Sequence, residues 1–533
     1  MAYDILIRNA KVVTGTGAPW IEADIGIKNG VVERMGYLPH AQADRVIDAQ
    51  GLFAAPGFID MHNHSDLAIL SYPEAGNALL QGVTTLVIGN CGFSAAPVLP
   101  ERLEVFREHW ARLAPFPVEI TWSSFAEYLR VVEEKRPGVN IAPLVGHNTV
   151  RLNAMGIENR APTEGELEEM RRLVAEAMEA GAFGMSTGLI YVPGVFSRTE
   201  EIVELARVVA RYGGIYATHM RSESDRLVEA VEEALRIGRE AGGRVEISHL
   251  KAAGRENWGK VRYVLSLVED ARSRGLEVTC DAYPYTAGMT GLSALLPPWA
   301  LEGGPGEMLR RLEDPSTRRR IIDELVRGAV TGASERLAAL AGWRGIVIAY
   351  SDSCKECEGR SIAEIASMWG EDPAEAILDL LLRDRGRTSV VLNLMNQDDV
   401  DYVVTHPLVM IGSDSWVAPP RGKPHPRFFG TFPRVIRRYV VEKGVLTLEE
   451  AVRKMSAMPA TKLGLWDRGL LLPGFAADIV VFSLEEIRDR ASYENPTEPP
   501  SGVRYVIVNG EVAVEDGELT GARAGRVLRR REF

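Results

Sequence analysis

Cysteine is scarce in this chain, with four residues among 533, at positions 91, 280, 354 and 357. So few cysteines cannot provide the disulfide framework of a secreted scaffold of this length. No apolar run reaches the length that spans a membrane, and the N-terminus lacks a basic stretch followed by an apolar one. We therefore expect no membrane partner and no signal peptide, and we expect the protein to lie in the cytoplasm.

Positive charge and aromatic residues are also limited. The net charge is −12 and aromatic residues make up 7% of the chain. This balance disfavours a nucleic acid or an anionic membrane surface as a partner. Apolar residues make up 46%, which suffices for a full core. The composition therefore indicates a globular protein and leaves its oligomeric state open.

Two of the nine histidines lie one residue apart, after a short apolar run that proline and glycine interrupt, within residues 56–66. Side chains at positions i and i+2 of an extended chain point to the same side. His62 and His64 can therefore face one metal ion from the end of a strand.

Both ends of the chain carry short alternating runs that are typical of β-strands. Residues 4–33 contain such runs around Asn29-Gly30, and residues 478–514 contain them around Asn509-Gly510. An Asn-Gly pair between alternating runs is a strong hairpin signal. We predict one small β-sandwich domain assembled from residues 1–55 and 466–533.

Between the two ends, apolar strand-like runs alternate with helical patterns. Helical spacing marks residues 163–180, 199–212 and 224–241, and a short apolar run follows each of them. Repeated strand–helix units favour a parallel sheet, and this many over ~400 residues favour a (β/α)8 barrel. We predict an α/β chain with such a TIM-type barrel over residues 56–465, interrupted by an insertion at about residues 286–345.

The candidate metal ligands and the candidate acid–base residue follow apolar runs at their carboxyl ends, where barrel enzymes build their active sites. These residues are His62, His64, Cys91, His219, His249 and Asp414. A cysteine with two histidines is a sensible zinc ligand set that leaves a fourth position for water. Beside such a metal, Asp414 could take the proton of the bound water and pass it to a leaving nitrogen.

These residues resemble the amidohydrolase superfamily, and the stretches around them are similar to the N-acyl-D-amino-acid deacylases (D-aminoacylases). The similar stretches are residues 82–97, 186–191, 248–251, 281–288 and 425–432. The resemblance extends from about residue 4 to about residue 520. Its most specific part is the Asn90–Ser94 block, because most of the superfamily uses a carboxylated lysine near that metal instead of a cysteine.

The resemblance implies a (β/α)8 barrel and zinc held tightly by Cys91, His219 and His249. It implies a second, weaker metal site at His62, His64 and Asp414. In the family pattern, Asp414 acts first as general base and then as acid. The residues implied to hold the substrate carboxylate are Lys251, Arg427, Tyr191 and Tyr283. That role suits an arginine, which can clamp a carboxylate through two hydrogen bonds.

Two positions depart from the family pattern. Met289 stands where the family commonly has a serine, so one carboxylate contact is missing or comes from Thr290. Ser65 replaces an aspartate of the first motif and leaves the two metal histidines intact. Of the two, Met289 is the departure that bears on substrate preference.

These features predict zinc-dependent hydrolysis of the amide bond of N-acyl-D-amino acids, which gives a carboxylate and the free D-amino acid. One alternative is a cyclic amidohydrolase of the dihydroorotase or hydantoinase type, against which Cys91 argues. A second is a non-catalytic scaffold relative, which should have lost metal ligands that this chain retains. A third is a deacylase with an unusual acyl group or amino acid.

Cys354 and Cys357 form a C-x-x-C pair. No second pair follows at the spacing of a zinc ribbon, so a structural metal is disfavoured there. We expect a loop that carries two reduced thiols.

Overall fold

The structure is a computed structural model that describes residues 2–113, 118–328, 332 and 335–530. Strands and helices alternate through the middle of the chain, which confirms the predicted α/β fold. In the described part of the chain the strands are β1 (Ala2–Val12), β2 (Ile21–Lys28), β3 (Val31–Gly36), β4 (Gln42–Asp48), β5 (Phe53–Pro56), β6 (Phe58–Asp60), β7 (Val83–Ile88), β8 (Asn140–Pro143), β9 (Val145–Gly146), β10 (Gly184–Gly188), β11 (Ile215–His219), β12 (Arg244–Ile247), β13 (Val278–Ala282), β14 (Ala287–Gly291), β15 (Ile346–Tyr350), β16 (Ser389–Asn393), β17 (Val409–Ile411), β18 (Ile479–Phe482), β19 (Val503–Val508), β20 (Glu511–Glu515) and β21 (Glu518–Leu519).

The helices of the same residues include the three that helical spacing predicts, which are α6, α7 and α8 below. They are α1 (Ala68–Ser71), α2 (Gly76–Leu79), α3 (Leu103–Leu113), α4 (Phe125–Glu134), α5 (His147–Met155), α6 (Glu164–Glu179), α7 (Thr199–Arg211), α8 (Leu227–Ala241), α9 (Lys260–Ser273), α10 (Pro298–Leu301), α11 (Pro305–Glu313), α12 (Pro315–Arg327), α13 (Leu337–Gly345), α14 (Ile362–Trp369), α15 (Pro373–Arg383), α16 (Gln397–Thr405), α17 (Arg427–Arg434), α18 (Leu448–Met455) and α19 (Ala457–Leu463).

Helix α6 illustrates how local sequence sets an element's ends. The Thr163 side chain accepts a hydrogen bond from the Glu166 backbone N–H, and the Glu166 side chain accepts one from the Thr163 N–H. This capping box satisfies two amide donors that the first turn leaves free. The helix ends at Glu179, and its C-cap residue Ala180 precedes Gly181, which adopts a positive φ of 108°.

A nine-stranded sheet draws strands from both ends of the chain, in the order β21-β20-β19-β18-β5-β1-β2-β3, with β4 paired to β1. The predicted Asn-Gly turns join β2 to β3 and β19 to β20. Asn29 and Gly30 have φ values of 51° and 77°, and Asn509 and Gly510 have values of 48° and 85°. A two-residue hairpin of this kind needs positive φ at both positions, which explains the choice of Asn-Gly.

Two parallel sheets occupy the middle of the chain, with the orders β6-β7-β8 and β17-β13-β12-β11-β10-β9. They approach each other at both edges, where Leu144 N–H donates to Ile88 O (2.8 Å) and Met61 N–H donates to Ile411 O (3.3 Å). Strands β7 and β11 are buried along their whole length, as expected for parallel strands covered on both faces. Because the strands are parallel, their carboxyl ends come to one side of the fold.

The alternation of strands and helices is interrupted between β13 and β17. This segment contains the antiparallel sheet β14-β16-β15 and helices α10–α15. It runs from Ala287 to Asn393. The insertion at about residues 286–345 stays a prediction.

One prediction in this segment is wrong. Cys354 and Cys357 are joined by a disulfide rather than carrying two reduced thiols. The Cys357 N–H donates a hydrogen bond to Cys354 O in a short 3-10 turn. This turn places the two Cα atoms 5.3 Å apart, within the range that a disulfide can bridge.

Over the described ranges, every helix is too short or too polar to cross a membrane. The cytoplasmic location stays a prediction.

Candidate metal centre and active site

The predicted ligands and Asp414 lie just past the carboxyl ends of five parallel strands. His62 and His64 follow β6, Cys91 follows β7, His219 ends β11, His249 follows β12 and Asp414 follows β17. The structure therefore brings all six residues to the same side of the fold.

Three of these residues adopt a left-handed backbone that residues other than glycine rarely use. The φ values are 50° at Cys91, 36° at His249 and 53° at Asp414. Hydrogen bonds hold two of them in place: His249 N–H donates to Asp281 Oδ1 (2.8 Å), and Asp414 N–H donates to His62 O (2.8 Å). Strained backbone of this kind clusters at functional sites, because the surrounding structure must stabilise it.

The Cys91 sulfur lies at the centre of the cluster. Its Sγ is 3.3 Å from His62 Nε2, 3.6 Å from His219 Nδ1 and 3.3 Å from His249 Nε2. Around a tetrahedral zinc ion with ordinary bond lengths, a sulfur and a nitrogen ligand lie about 3.5 Å apart. The spacing and the chemistry of Cys91, His219 and His249 therefore fit zinc.

A second group of ligand atoms adjoins the first. His64 Nε2 lies 3.0 Å from Asp414 Oδ1, and His62 Nε2 lies 3.6 Å from the same oxygen. The ligand atoms of His62, His64 and Cys91 also lie within 4.8 Å of one another. Cys91 can therefore contribute to both groups.

The surroundings of the ligands keep the histidines neutral, which favours metal binding, and oppose ionisation of the cysteine unless a cation lies beside it. Burial lowers the pKa of His219 and of His249 well below the usual value, so both imidazoles are in the neutral form that binds metal. Burial, together with the negative Asp414 and Glu223, raises the pKa of the Cys91 thiol well above its usual value. A thiolate ligand at this position therefore needs a positive ion beside it.

Asp414 is a buried carboxylate between a cation and the ligand histidines. Its Oδ2 lies 2.9 Å from Arg427 Nη1, and its Oδ1 lies 3.0 Å from His64 Nε2. Burial alone would raise its pKa, but the charge of Arg427 and the His64 contact outweigh burial and hold the pKa of Asp414 well below its usual range. The group is ionised at neutral pH and can accept a proton.

The four residues implied to hold the substrate carboxylate line one cavity above the metal ligands. The Arg427 guanidinium lies 4.7 Å and the Lys251 Nζ lies 5.7 Å from the centre of the Tyr283 ring. Arg427 is 1% exposed, and its Nε donates to no described atom, so a donor remains for an anionic ligand. The Tyr191 hydroxyl oxygen accepts a hydrogen bond from Thr290 Oγ1 (3.3 Å).

The two residues that bear on the missing serine lie on opposite faces of β14. Met289 is opposite Val391 on β16, lines the cavity and packs against the apolar cluster of Phe428, Phe429 and Ala491. Thr290 lies beside Tyr191, as its hydrogen bond requires. Thr290 is therefore the residue of this pair that can present a hydroxyl group near the substrate-binding tyrosines.

Sequence reasoning missed Glu223, which joins three residues of the site. Its Oε1 lies 2.8 Å from His249 Nδ1 and accepts a hydrogen bond from Lys251 Nζ (2.5 Å), and its Oε2 lies 3.6 Å from His219 Nε2. A carboxylate on the outer nitrogen of a ligand histidine orients the ring and raises its basicity. The one available signal was the position of Glu223 four residues after His219.

Asp281 supports the other side of the cluster, and its role was also not predicted. Its Oδ1 accepts the His249 N–H and lies 3.4 Å from His62 Nδ1. Asp281 thus positions ligands from two strands at once.

Parallel strands with His-x-His, two further histidines and an aspartate at their carboxyl ends form the arrangement of the amidohydrolase superfamily. Residues 45–514 match the profile of the Amidohydrolase family, and the chain belongs to this family.

Similar proteins of known activity narrow the family resemblance to deacylases. The chain is 37% identical over 528 residues to an N-acyl-D-glutamate deacylase and 38% identical over 531 residues to an N-acyl-D-aspartate deacylase, both from Alcaligenes xylosoxydans xylosoxydans. These alignments cover 99% and 98% of this chain and 96% and 95% of the relatives. A D-aminoacylase of the same organism is 36% identical over 532 residues, with 99% and 98% covered. The resemblance to N-acyl-D-amino-acid deacylases is confirmed.

Solved structures of deacylases also match the chain over nearly its full length. An N-acyl-D-glutamate deacylase from Bordetella bronchiseptica, complexed with zinc and a phosphonate inhibitor that mimics the tetrahedral intermediate, matches with a TM-score of 0.84 and 35% identity over 99% of this chain and 100% of that one. An L-hydantoinase from Arthrobacter aurescens matches with a TM-score of 0.53 and 18% identity over 99% and 100% of the two chains, which indicates a shared fold alone.

Proposed function

We propose that this protein is a zinc-dependent deacylase that hydrolyses the linear amide of N-acyl-D-amino acids to a carboxylate and the free D-amino acid. The observation that carries the proposal is the convergence of Cys91 Sγ with His219 Nδ1 and His249 Nε2, at 3.6 and 3.3 Å, beside the ionised Asp414. The activities of the relatives, which share a third of their residues with the chain over nearly its full length, support it.

We propose that the parallel strands form a (β/α)8 barrel over residues 56–465, next to a small β-sandwich domain built from residues 1–55 and 466–533. The hydrogen bonds between Leu144 and Ile88 and between Met61 and Ile411 support closure, because they connect the two parallel sheets at both edges. Barrel enzymes place their chemistry at the carboxyl ends of the strands, where the ligands of this chain lie.

Cys91, His219 and His249 would hold zinc, which when bound would supply a water whose pKa is lowered to about 7 and would polarise the acyl carbonyl. We assign His62, His64 and Asp414 to the second, weaker metal site. Glu223 fixes His249 from its outer side.

The substrate is positioned through its carboxylate. Arg427 Nε is free to donate, and Lys251 and Tyr283 lie beside it at the cavity wall. Tyr191 lines the same cavity, with its ring centre 5.0 Å from that of His219. Holding the carboxylate at Lys251 and Arg427 brings the acyl amide towards Cys91 and Asp414, which line the same cavity.

Asp414 carries the proton through the reaction. As the ionised base it takes a proton from the water, and the resulting hydroxide adds to the acyl carbon. Protonated Asp414 then gives this proton to the amide nitrogen as the C–N bond breaks. The acyl group is released as a carboxylic acid and the amino acid as a free amine, and the proton of the acid then passes to the amine, which gives a carboxylate and an ammonium group. Asp414 ends the cycle ionised.

The proposal is tested with zinc-loaded protein and a matched set of N-acetyl-D-methionine, N-acetyl-L-methionine and a hydantoin, with zinc content measured on the same sample. We expect release of free D-methionine and little turnover of the other two compounds. Faster cleavage of the L compound would contradict the stereochemistry, and ring opening of the hydantoin alone would favour the cyclic amidohydrolase alternative.

A further inference from the structure

The cavity above the metal ligands encloses about 1120 Å³, part of it open to solvent. Beyond the ligand cluster its walls are mainly apolar. The side chains there include Phe93, Trp110, Ile190, Leu337, Leu392 and Leu394. A substrate whose carboxylate and amide are held at the polar end must place its remaining groups against this apolar wall.

Both cations in the cavity already have a partner. Lys251 Nζ donates to Glu223 Oε1 (2.5 Å), and Arg427 Nη1 lies 2.9 Å from Asp414 Oδ2. Among the described residues that line the cavity, these are the only lysine and arginine. One substrate carboxylate can be held between them, and the described lining residues offer no further lysine or arginine for a second one.

A smaller apolar cavity of about 560 Å³ adjoins the first, and Phe93, Ile190 and Tyr191 line both. Its outer part is lined by residues such as Leu296 and Leu301, and His109 is the titratable residue that it adds. An acyl chain or side chain that extends past Tyr191 therefore meets more apolar surface.

We infer that this enzyme selects N-acyl-D-amino acids with apolar side chains and discriminates against those of D-glutamate and D-aspartate. This inference rests on the proposed deacylase function and names its substrate class. A second carboxylate would be buried against apolar side chains without a cation to pair with, and such burial is strongly unfavourable. Identities of 37% to an N-acyl-D-glutamate deacylase, 38% to an N-acyl-D-aspartate deacylase and 36% to a D-aminoacylase do not separate these substrate classes, whereas the charges of the cavity do.

The test compares kcat/KM for N-acetyl-D-methionine, N-acetyl-D-glutamine and N-acetyl-D-glutamate, whose side chains are similar in length. We expect methionine to exceed glutamate by more than about tenfold, because an unpaired buried charge costs far more than a neutral group. Glutamine, which is polar but uncharged, should fall between them. A glutamate rate within tenfold of the methionine rate would overturn the inference and leave the deacylase function intact. Cleavage of none of the three by zinc-loaded protein would overturn both.

A variant adds a cation to the cavity wall. Met289 is half-buried and lines the cavity, and arginine has a similar length. Met289→Arg should lower the methionine-to-glutamate ratio of kcat/KM by about tenfold relative to Met289→Gln, the uncharged control of similar size. If thermal melting shows that both variants are folded and their ratios are equal, the result would contradict the view that the missing cation sets the preference.

Discussion

Two buried clusters in this protein each join a carboxylate, an arginine and a histidine. The site cluster is Asp414, Arg427 and His64, with contacts of 2.9 Å to the arginine and 3.0 Å to the histidine. The support cluster is Glu201, Arg151 and His147, with contacts of 2.6 and 2.9 Å. The residue types and the distances are closely similar, although the His64 side chain is 23% exposed and that of His147 is fully buried.

The two clusters differ in where their remaining donors point. Arg151 Nη2 donates to the backbone oxygens of Glu158 (3.3 Å) and Arg160 (2.6 Å), so this arginine fastens one stretch of chain to another. Nε of both arginines donates to no described atom, but only Arg427, together with Asp414, lines the cavity. A buried ion cluster that ties backbone segments together away from a cavity acts in folding, and one that lines a cavity with a donor left free can act on a ligand.

The largest contrast is expected when the two carboxylates are made neutral. Asp414→Asn should lower kcat/KM by about 10²- to 10⁴-fold, because it removes the proton acceptor, while the tightly held zinc remains. Glu201→Gln should leave turnover per folded molecule near the wild-type value and destabilise the fold by about 3–5 kcal/mol, the cost of breaking a buried ion pair. Steady-state rates, zinc content and thermal melting of both variants make the comparison. Wild-type rates in Asp414→Asn would remove that residue from the mechanism.

Substitution of the two arginines should again affect activity in the site cluster and stability in the support cluster, with smaller effects than substitution of the carboxylates. Arg427→Lys keeps the charge and loses the second hydrogen bond to the substrate carboxylate, so KM should rise by about 10- to 100-fold with a smaller change in kcat. Arg151→Lys should lower the melting temperature and leave KM unchanged. Equal KM values in the two variants would contradict the assignment of Arg427 to substrate binding.

Glu223→Gln should give the smallest of the three effects. It removes the charge that holds Lys251 and the outer nitrogen of His249, and such changes typically lower metal affinity by about 10- to 100-fold. We expect activity to fall at limiting zinc and to recover partly when zinc is added in excess. Glu223→Asp, which keeps the charge on a shorter side chain, should retain more zinc than Glu223→Gln. If the two variants bind zinc equally, Glu223 does not act through its charge.

The support cluster also shows why a strand-end position is an incomplete signal. His147 follows β9 at its carboxyl end, as the ligand histidines follow their strands. Its Nε2 nevertheless contacts Glu201 and does not take part in the ligand cluster. Cys91 and His249 lie in stretches that are similar to the family, residues 82–97 and 248–251, whereas His147 lies in none of the stretches that carry the resemblance.

Other features depend on contacts between distant segments and could not be read along the chain. Glu223 has no local motif, and its role follows from the loop that brings it against His249 and Lys251. The disulfide of Cys354 and Cys357 was missed because a reducing environment was assumed, whereas the 3-10 turn places the two thiols together. The alternating hairpins and amphipathic helices were predicted correctly, because each depends on local periodicity and turn residues.

The zinc content of Cys91→Ala, measured by atomic emission beside wild type and Cys280→Ala, tests the central claim most directly. Cys280 is the matched control, since it is the other free and buried cysteine of the described residues and lies on β13 outside the ligand cluster. We predict a clear loss of zinc in Cys91→Ala and wild-type zinc in Cys280→Ala. Unchanged zinc in a folded Cys91→Ala protein would contradict ligation by this sulfur and the account of the site that depends on it.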